Sequence, residues 1–209
     1  MDRLTDTAAL ILAAGASRRM GQMKQLLDLG GIPLLERVVC QVMRFPFTEI
    51  VTVIGYGFEQ IRQRVSIADE RFRWIVNADY DRGQSHSLQK GIDEIESSAV
   101  MVFLGDQPFI ARETTRAIYD EGVKQAAKLN RPFVVRPSFR SVPGHPVYFG
   151  NVQQMDFDSL SGDQGAKPLI RKMNHHYVLP VDDDGIVFDI DTPEAYERAK
   201  QILERQGGS

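Results

Sequence analysis

Cysteine is almost missing from this chain. Cys40 is the single one in 209 residues, so no intrachain disulfide can form and a reducing compartment is expected. It lies in the apolar run Val38-Val39-Cys40-Gln41-Val42, which implies a small buried hydrophobe. Histidine is sparse as well: four histidines with no shared spacing, beside one cysteine, do not make a zinc site. No run approaches the ~20 apolar residues of a membrane-spanning helix. The opening MDRLTDTAAL is polar and acidic, not basic and then apolar. It reads as no signal peptide, and a cytoplasmic location is expected. Charge of one sign is lacking too. The net charge is −3, whereas a nucleic-acid binder normally carries a basic footprint. A local basic pocket for a small anion stays compatible with that balance. Internal repeats, low-complexity segments and any local Ser-His-Asp or Cys-His arrangement are also absent.

What is present is alternation. Hydrophobic residues make up 43 %, and a chain this long can bury on the order of 70 % of its unfolded surface without staples. Ala8–Ala13, Ile50–Ile54, Arg73–Val76, Val100–Leu104 and Phe133–Val135 read as short apolar strands. Between them, Pro33–Phe45, Phe58–Ile67, a segment from Ser85 or Ser87 to Ile95, and Glu113–Lys128 read as helices. The pattern predicts an α/β fold in three layers around a mostly parallel sheet, one domain over residues 1–209. The Gly- and Pro-rich stretch of about 137–185 reads as a lid or substrate-side elaboration. A last helix, Pro193 to about Glu204, is expected to pack back on the sheet. His175-His176 reads as a surface strand pair and Asp182-Asp183-Asp184-Gly185 as a solvated turn.

Open α/β sheets bind ligands beyond the carboxyl ends of their strands. The loops expected there are AGASRRMG, NADYDRGQS, GDQP and the TP that follows GIVFDID. Together they hold glycines, arginines and carboxylates. In the first, Ala13, Ala14, Gly15, Ala16 and Ser17 allow close backbone approach, and Arg18, Arg19 and Lys24 supply charge. That combination suits phosphate. The Walker A spacing fails, because five residues separate Gly15 from Gly21 and Lys24 follows three later. The dinucleotide fingerprint fails because Gly15 has no glycine two residues on. Asp106 stands just past VMVFLG at a strand's carboxyl end, where a carboxylate can hold Mg²⁺ or cap the next helix. Asp191 is open to the same two readings, as metal residue or as N-cap of the helix opening at Pro193. In strand geometry Asp189 and Asp191 share a face.

The stretch LILAAGASRRMGQMKQLLDLGGIPLLERV resembles the signature of the nucleotidyltransferases that activate molybdenum cofactor. GDQP, GHPVYFG, SGDQGAKPLI and DIDTPEAY follow in that family's order and cover nearly the whole chain. The cytidylyltransferase branch matches best. The resemblance implies a Rossmann-like fold of the nucleotide-diphospho-sugar transferase kind. It implies transfer of a nucleoside monophosphate from CTP to a molybdopterin-type phosphate, with release of pyrophosphate and with Mg²⁺ as cofactor. A molybdoenzyme is the implied client, and neither nucleic acid nor membrane is a partner. Arg19 and Lys24 match the signature arginine and lysine, and Arg18 fills a variable position. Leu12, Ala13, Ala14, Gly15 and Ser17 fall on the nucleotide loop, and Ala14 stands where the guanylyl branch carries glycine. Asp106 and Asp191 fall on the metal positions, with Asp189 behind. Asn77, Gly83, Ser85 and Ser87 fall near the nucleotide, and GQSHSL departs from the family there at Gln84 and His86. His145 falls on the pterin side. Lys167 replaces a usual arginine and loses its fork, and Asp163 is either catalytic or loop-ordering. The alternatives are a GTP-dependent guanylyltransferase, a sugar-phosphate nucleotidyltransferase, a non-catalytic pterin carrier and, weakened by the missing fingerprint, a dinucleotide oxidoreductase.

Overall fold

The structure, a computed structural model, describes residues 6–207. Six strands and helices near the N-terminus follow the apolar pattern closely: β1 Thr7–Ala13, α1 Leu34–Val42, β2 Ile50–Ile54, α2 Phe58–Arg64, β3 Phe72–Val76 and α3 Gln84–Asp93. Then come β4 Ala99–Leu104, α4 Arg112–Ala126, β5 Phe133–Phe139, β6 Val142–Pro143, β7 Val147–Gly150, α5 Lys167–Arg171, β8 His176–Pro180 and α6 Pro193–Gly207. The sheet order is β3-β2-β1-β4-β7-β5-β6, with β8 also pairing β5. β3, β2, β1 and β4 run parallel, and β7 is antiparallel to both β4 and β5.

Alternate β1 side chains feed two cores. Ala9, Ile11 and Ala13 face Leu35, Val38, Val39 and Val42 of α1, with Ile61 of α2 and Ile118 of α4. Ala8 and Leu10 face Leu88 of α3, with Phe157, Leu160, Leu169 and Ile170 from the later chain. A strand buried on both faces reads as a continuous apolar run, as these do. Helices therefore lie on both sides, giving the three expected layers. Among the described residues no helix is long and apolar enough to cross a membrane.

Several expectations need correction. The stretch after Pro137 is not only an elaboration on the ligand side. Val147–Gly150 is fully buried in the middle of the sheet, and α4 presses so closely on it that a Cβ on Gly122 would lie 2.4 Å from the Tyr148 ring. Four residues were too few to register as a strand among glycines and prolines. GIVFDID is no strand: Asp184–Val187 is a 3₁₀ turn and irregular backbone follows. α6 does not lie on the sheet. Ala199, Tyr196 and Leu203 pack on Met20, Leu27, Leu29, Leu34 and Ile190, and Tyr196 Oη donates to the Asp28 carbonyl at 2.5 Å. Cys40 is half-buried rather than buried, because α1 turns Val38, Val39 and Val42 inward and leaves Cys40 on its flank. Asp183 is not a free turn residue, since its carboxylate accepts the N–H groups of Gly185 and Ala111.

Candidate active site

The loop after β1 is held from below by a residue the sequence reading passed over. Gln25 is 2 % exposed, and its Nε2 donates to the carbonyls of Ala13 and Gly15, each at 2.8 Å. Ser17 donates to Gln25 Oε1 at 3.3 Å and accepts the Lys24 N–H at 3.1 Å. Ser17 holds a left-handed φ of 54°, which a serine adopts at some cost, and Gly21 follows at 71°. The chain thus doubles back and delivers Lys24 beside the strand ends. A lone glutamine between a lysine and two leucines was the available signal.

Two oppositely charged pairs close the site. Lys24 Nζ lies 2.5 Å from Asp106 Oδ2, and Arg19 pairs with Asp191. The GDQP loop and the DID segment are tied together, because the Ile190 N–H donates to the Asp106 carbonyl at 2.9 Å. Buried Gln107 donates to Asp189 Oδ1 at 2.7 Å. The Asp189 carboxyl is raised above its usual range, first by lost hydration and then by the charge of Asp106, while Gln107 opposes the shift. Asp191 does not cap α6. Thr192 does, accepting the Ala195 N–H at 3.2 Å, so the Asp191 carboxylate is left to the site. Asp106 likewise caps nothing, since α4 starts only at Arg112.

Of these groups Arg19, Lys24 and Asp106 line a cavity of about 340 Å³ with Leu12, Ala13, Ala14, Gly15, Tyr80, Gly83, Gln84, Ser87 and Asp163, and Asp191 stands beside it, joined through Arg19. Its polar wall is made where α3 meets the 161–165 loop. Ser85 Oγ donates to the carbonyls of Ser161 and Gly165, and Asp163 Oδ1 accepts the Gln84 N–H at 3.3 Å. Gly83 has φ +101°, and a Cβ there would meet the Gly162 backbone at 2.5 Å. Asp163 thus ties the 161–165 loop to α3 while lining the cavity. Asn77 lies behind the wall: it is fully buried, donates to Ser87 Oγ at 3.0 Å, and its Oδ1 faces the Asp79 N–H and His86 Nδ1. Ser17 and Arg18 face a neighbouring open groove with Tyr56 and Gly57. His145 and Lys167 line a second, smaller cavity with Arg136. The structure thus gathers Leu12, Ala13, Ala14, Gly15, Arg19, Lys24, Gly83, Ser87, Asp106 and Asp163 round one cavity, and sets Asn77, Ser17, Arg18, His145 and Lys167 beside it.

The donor set fits a hard divalent cation. Asp106 offers carboxylate oxygens at the cavity and Asp191 lies next to it against Arg19, and Mg²⁺ commonly takes one or two carboxylates with phosphate and water completing its shell. Among the described residues, no three His, Cys, Asp or Glu side chains form a ready cage, so such an ion would need ligands from a bound phosphate. Chemically, a cradle of small residues with an arginine, a lysine and two carboxylates suits in-line transfer at a polyphosphate.

Comparisons with known proteins agree with that chemistry. The purine catabolism protein PucB of Bacillus subtilis is 29 % identical over 93 % of this chain and 96 % of its own length. The molybdenum cofactor cytidylyltransferase of Escherichia coli is 24 % identical over 92 % and 94 %. A probable molybdenum cofactor guanylyltransferase of Natranaerobius thermophilus is 27 % identical over 96 % and 98 %. Among solved structures, the mycobacterial homologue of rv0371c from strain JC1 superposes with TM-score 0.81 at 25 % identity, over 97 % of this chain and 98 % of that one. The manganese complex of Rv0371C from Mycobacterium tuberculosis superposes with TM-score 0.75 at 24 % identity, over 94 % and 99 %. The family described as "MobA-like NTP transferase domain" matches residues 9–177. Sheet order, strand-end site and sequence match converge, and the chain belongs to the MobA-like NTP transferase domain family.

Proposed function

We propose that this chain, as one domain acting in the cytoplasm, transfers a nucleoside monophosphate from CTP to the phosphate of a molybdopterin-type acceptor, releasing pyrophosphate. The observation that carries the reading is the pair of cation–carboxylate contacts, Lys24–Asp106 and Arg19–Asp191, whose cations share a cavity with the small-residue loop. The acceptor phosphate is the nucleophile and is already ionised near neutral pH, so no general base is required. What remains is in-line positioning and neutralisation of charge on the attacked and leaving phosphates. Before substrate arrives, Arg19 and Lys24 are held by Asp191 and Asp106. On binding, the two cations turn to the triphosphate and the carboxylates are released. Asp106 and Asp191 would then hold Mg²⁺, which supplies charge neutralisation on the phosphates when bound. Gln107 keeps Asp189 oriented beside them. The backbone of Ala13, Ala14 and Gly15, with Leu12, Gly83 and Ser87, receives the nucleotide. Asn77 braces that wall from behind, and Ser17 braces the loop. His145 and Lys167 lie on the acceptor side, across the loop ordered by Asp163.

The CTP preference is assigned to Ala14, which lines the cavity and where glycine would leave more room for a purine. The E. coli cytidylyltransferase relative supports the same choice. Guanylyl transfer is the second reading, favoured by the N. thermophilus relative, which matches a slightly larger share of the chain. A molybdoenzyme is the expected recipient of the product. The test is incubation with each nucleoside triphosphate, Mg²⁺ and molybdopterin, with the product identified by mass. A product heavier by CMP, with pyrophosphate released, is expected. A GMP adduct supports the guanylyl reading instead, and no adduct with any nucleotide refutes transfer.

A further inference from the structure

A separate cavity of about 220 Å³ lies between α1 and α4 and shares no lining residue with the nucleotide cavity. Its walls are apolar, made by Val38, Val42, Phe45, Phe103 and Ile110. Its charges are of one sign. Arg44 and Arg112, both exposed, belong to the lining, and no acidic residue does. Gln107 is part of the lining too. It is 3 % exposed, and its Oε1 makes no hydrogen bond, a rare condition for a buried polar atom. One water needs ~10–15 Å³ by this measure of volume, so the space corresponds to roughly 15–22 water-sized groups. That is the size of a small organic molecule, and apolar walls with a few polar groups are the usual make-up of a ligand site.

Two lining side chains connect this cavity to the carboxylate loop. Gln41 on α1 donates to the Pro108 carbonyl at 2.7 Å, two residues beyond Asp106. Gln107 donates to Asp189 Oδ1 at 2.7 Å and to the Ile186 carbonyl at 3.4 Å. A ligand that moves Gln41 or fixes Gln107 therefore acts on the GDQP loop and on the segment bonded to it. We propose that the cavity between α1 and α4 is a regulatory site for a small aromatic anion, coupled to nucleotide binding through Gln41 and Gln107. An apolar ring body packs against Phe45 and Phe103, which gain from ring contacts beyond plain burial. An oxyanion faces Arg44 and Arg112, whose guanidinium forks match it. An N–H or O–H of the ligand supplies the donor that Gln107 Oε1 lacks. The site stands without the nucleotidyl-transfer reading; its coupling needs only that a nucleotide binds.

The experiment has two arms. In the first, the fluorescence of 8-anilino-1-naphthalenesulfonate, an aromatic anion with one N–H, is titrated with the whole chain. N-phenyl-1-naphthylamine, the same body without the sulfonate, is the control. The wild type should bind one sulfonate probe about 10-fold tighter than the control, as a charged hydrogen bond implies. Arg44→Met combined with Arg112→Met should abolish that preference with an unchanged melt, since both side chains are exposed. Equal binding of the two probes, or a double variant that binds like wild type and releases the probe to CTP, overturns the site. In the second arm, Mg²⁺ and CTP are titrated calorimetrically with and without the sulfonate probe. Coupled sites typically change each other's affinity ~5–150-fold, and reciprocally. The nucleotide affinity should therefore shift at least about 5-fold, and the probe affinity by the same factor. Gln41→Leu should keep the probe bound and bring that factor toward one. An unchanged nucleotide affinity, or full coupling in Gln41→Leu, overturns the regulatory assignment. Failure of CTP and GTP to bind without probe is a failure of the transferase reading instead, and the first arm still decides the site.

Discussion

Replacing Asp106 by asparagine removes one charge and almost no volume. The Asp106 and Lys24 side chains are 14 % and 20 % exposed, so their 2.5 Å contact lies between a surface pair, worth ~0–1 kcal/mol, and a buried one, whose breaking costs ~3–5 kcal/mol. The loss is opposed, because Asp106 also presses on Asp189 and raises its pKa, and the variant relieves that repulsion. The backbone is indifferent to the change, since the bond tying the two acidic loops uses the Asp106 carbonyl. A net change of ~1–2 kcal/mol at most corresponds to ~2–8 °C in Tm for a chain of this size. Turnover should respond far more. Removing one strong electrostatic contact to a transition state costs ~10²–10³ in rate, equivalent to ~2.7–4 kcal/mol. Asp106→Asn should therefore lose at least about 100-fold in kcat in a pyrophosphate-release assay, with a cooperative melt close to wild type. Lys24→Ala combined with it should cost much less than the product of the two single losses, as for residues acting as a unit. Near-normal turnover of Asp106→Asn at ordinary Mg²⁺ would refute the assignment of this carboxylate, and full additivity would refute the coupling.

Arg19→Ala and Lys24→Ala should weaken triphosphate binding in calorimetric titration, whereas Arg18→Ala, which faces the neighbouring groove, should do so less; equal affinity in all three would reduce the loop to a plain turn. Ala14→Gly should narrow the preference for CTP over GTP in kcat/KM without reversing it, because one methyl is worth only ~1–3 kcal/mol; a wild-type preference for GTP would sink the cytidylyl choice. His145 titrates at about 3 when folded and near ~6.5 when unfolded. Between those values the unfolded chain binds the proton and the folded chain does not, so stability falls as pH drops from 7 toward 4. His145→Gln should flatten that part of the Tm–pH curve, and an unaltered slope would remove His145 as its source.

Local pattern was enough to determine the layered α/β fold. β2 runs from Ile50 to Ile54 as the apolar run implies, because a strand buried on both faces must be apolar throughout and its ends are marked by the polar loops. The ligand-side loops were legible for the same reason: carboxyl ends of parallel strands gather on one edge, whatever the details. The sequence also supplied Arg19, Lys24, Asp106 and Asp191 as candidates. That Asp191 is not the cap of α6 was decided only in three dimensions, since Thr192 takes the cap and leaves Asp191 to Arg19. β7 was invisible because its four residues owe their conformation to β4 and β5, over 40 and about 15 residues distant in the chain. Gln25 offers only its place between a lysine and two leucines, and Arg136 carries no local signal. A buried glutamine and a guanidinium without a partner acquire meaning from what the tertiary structure places, or fails to place, within hydrogen-bond reach.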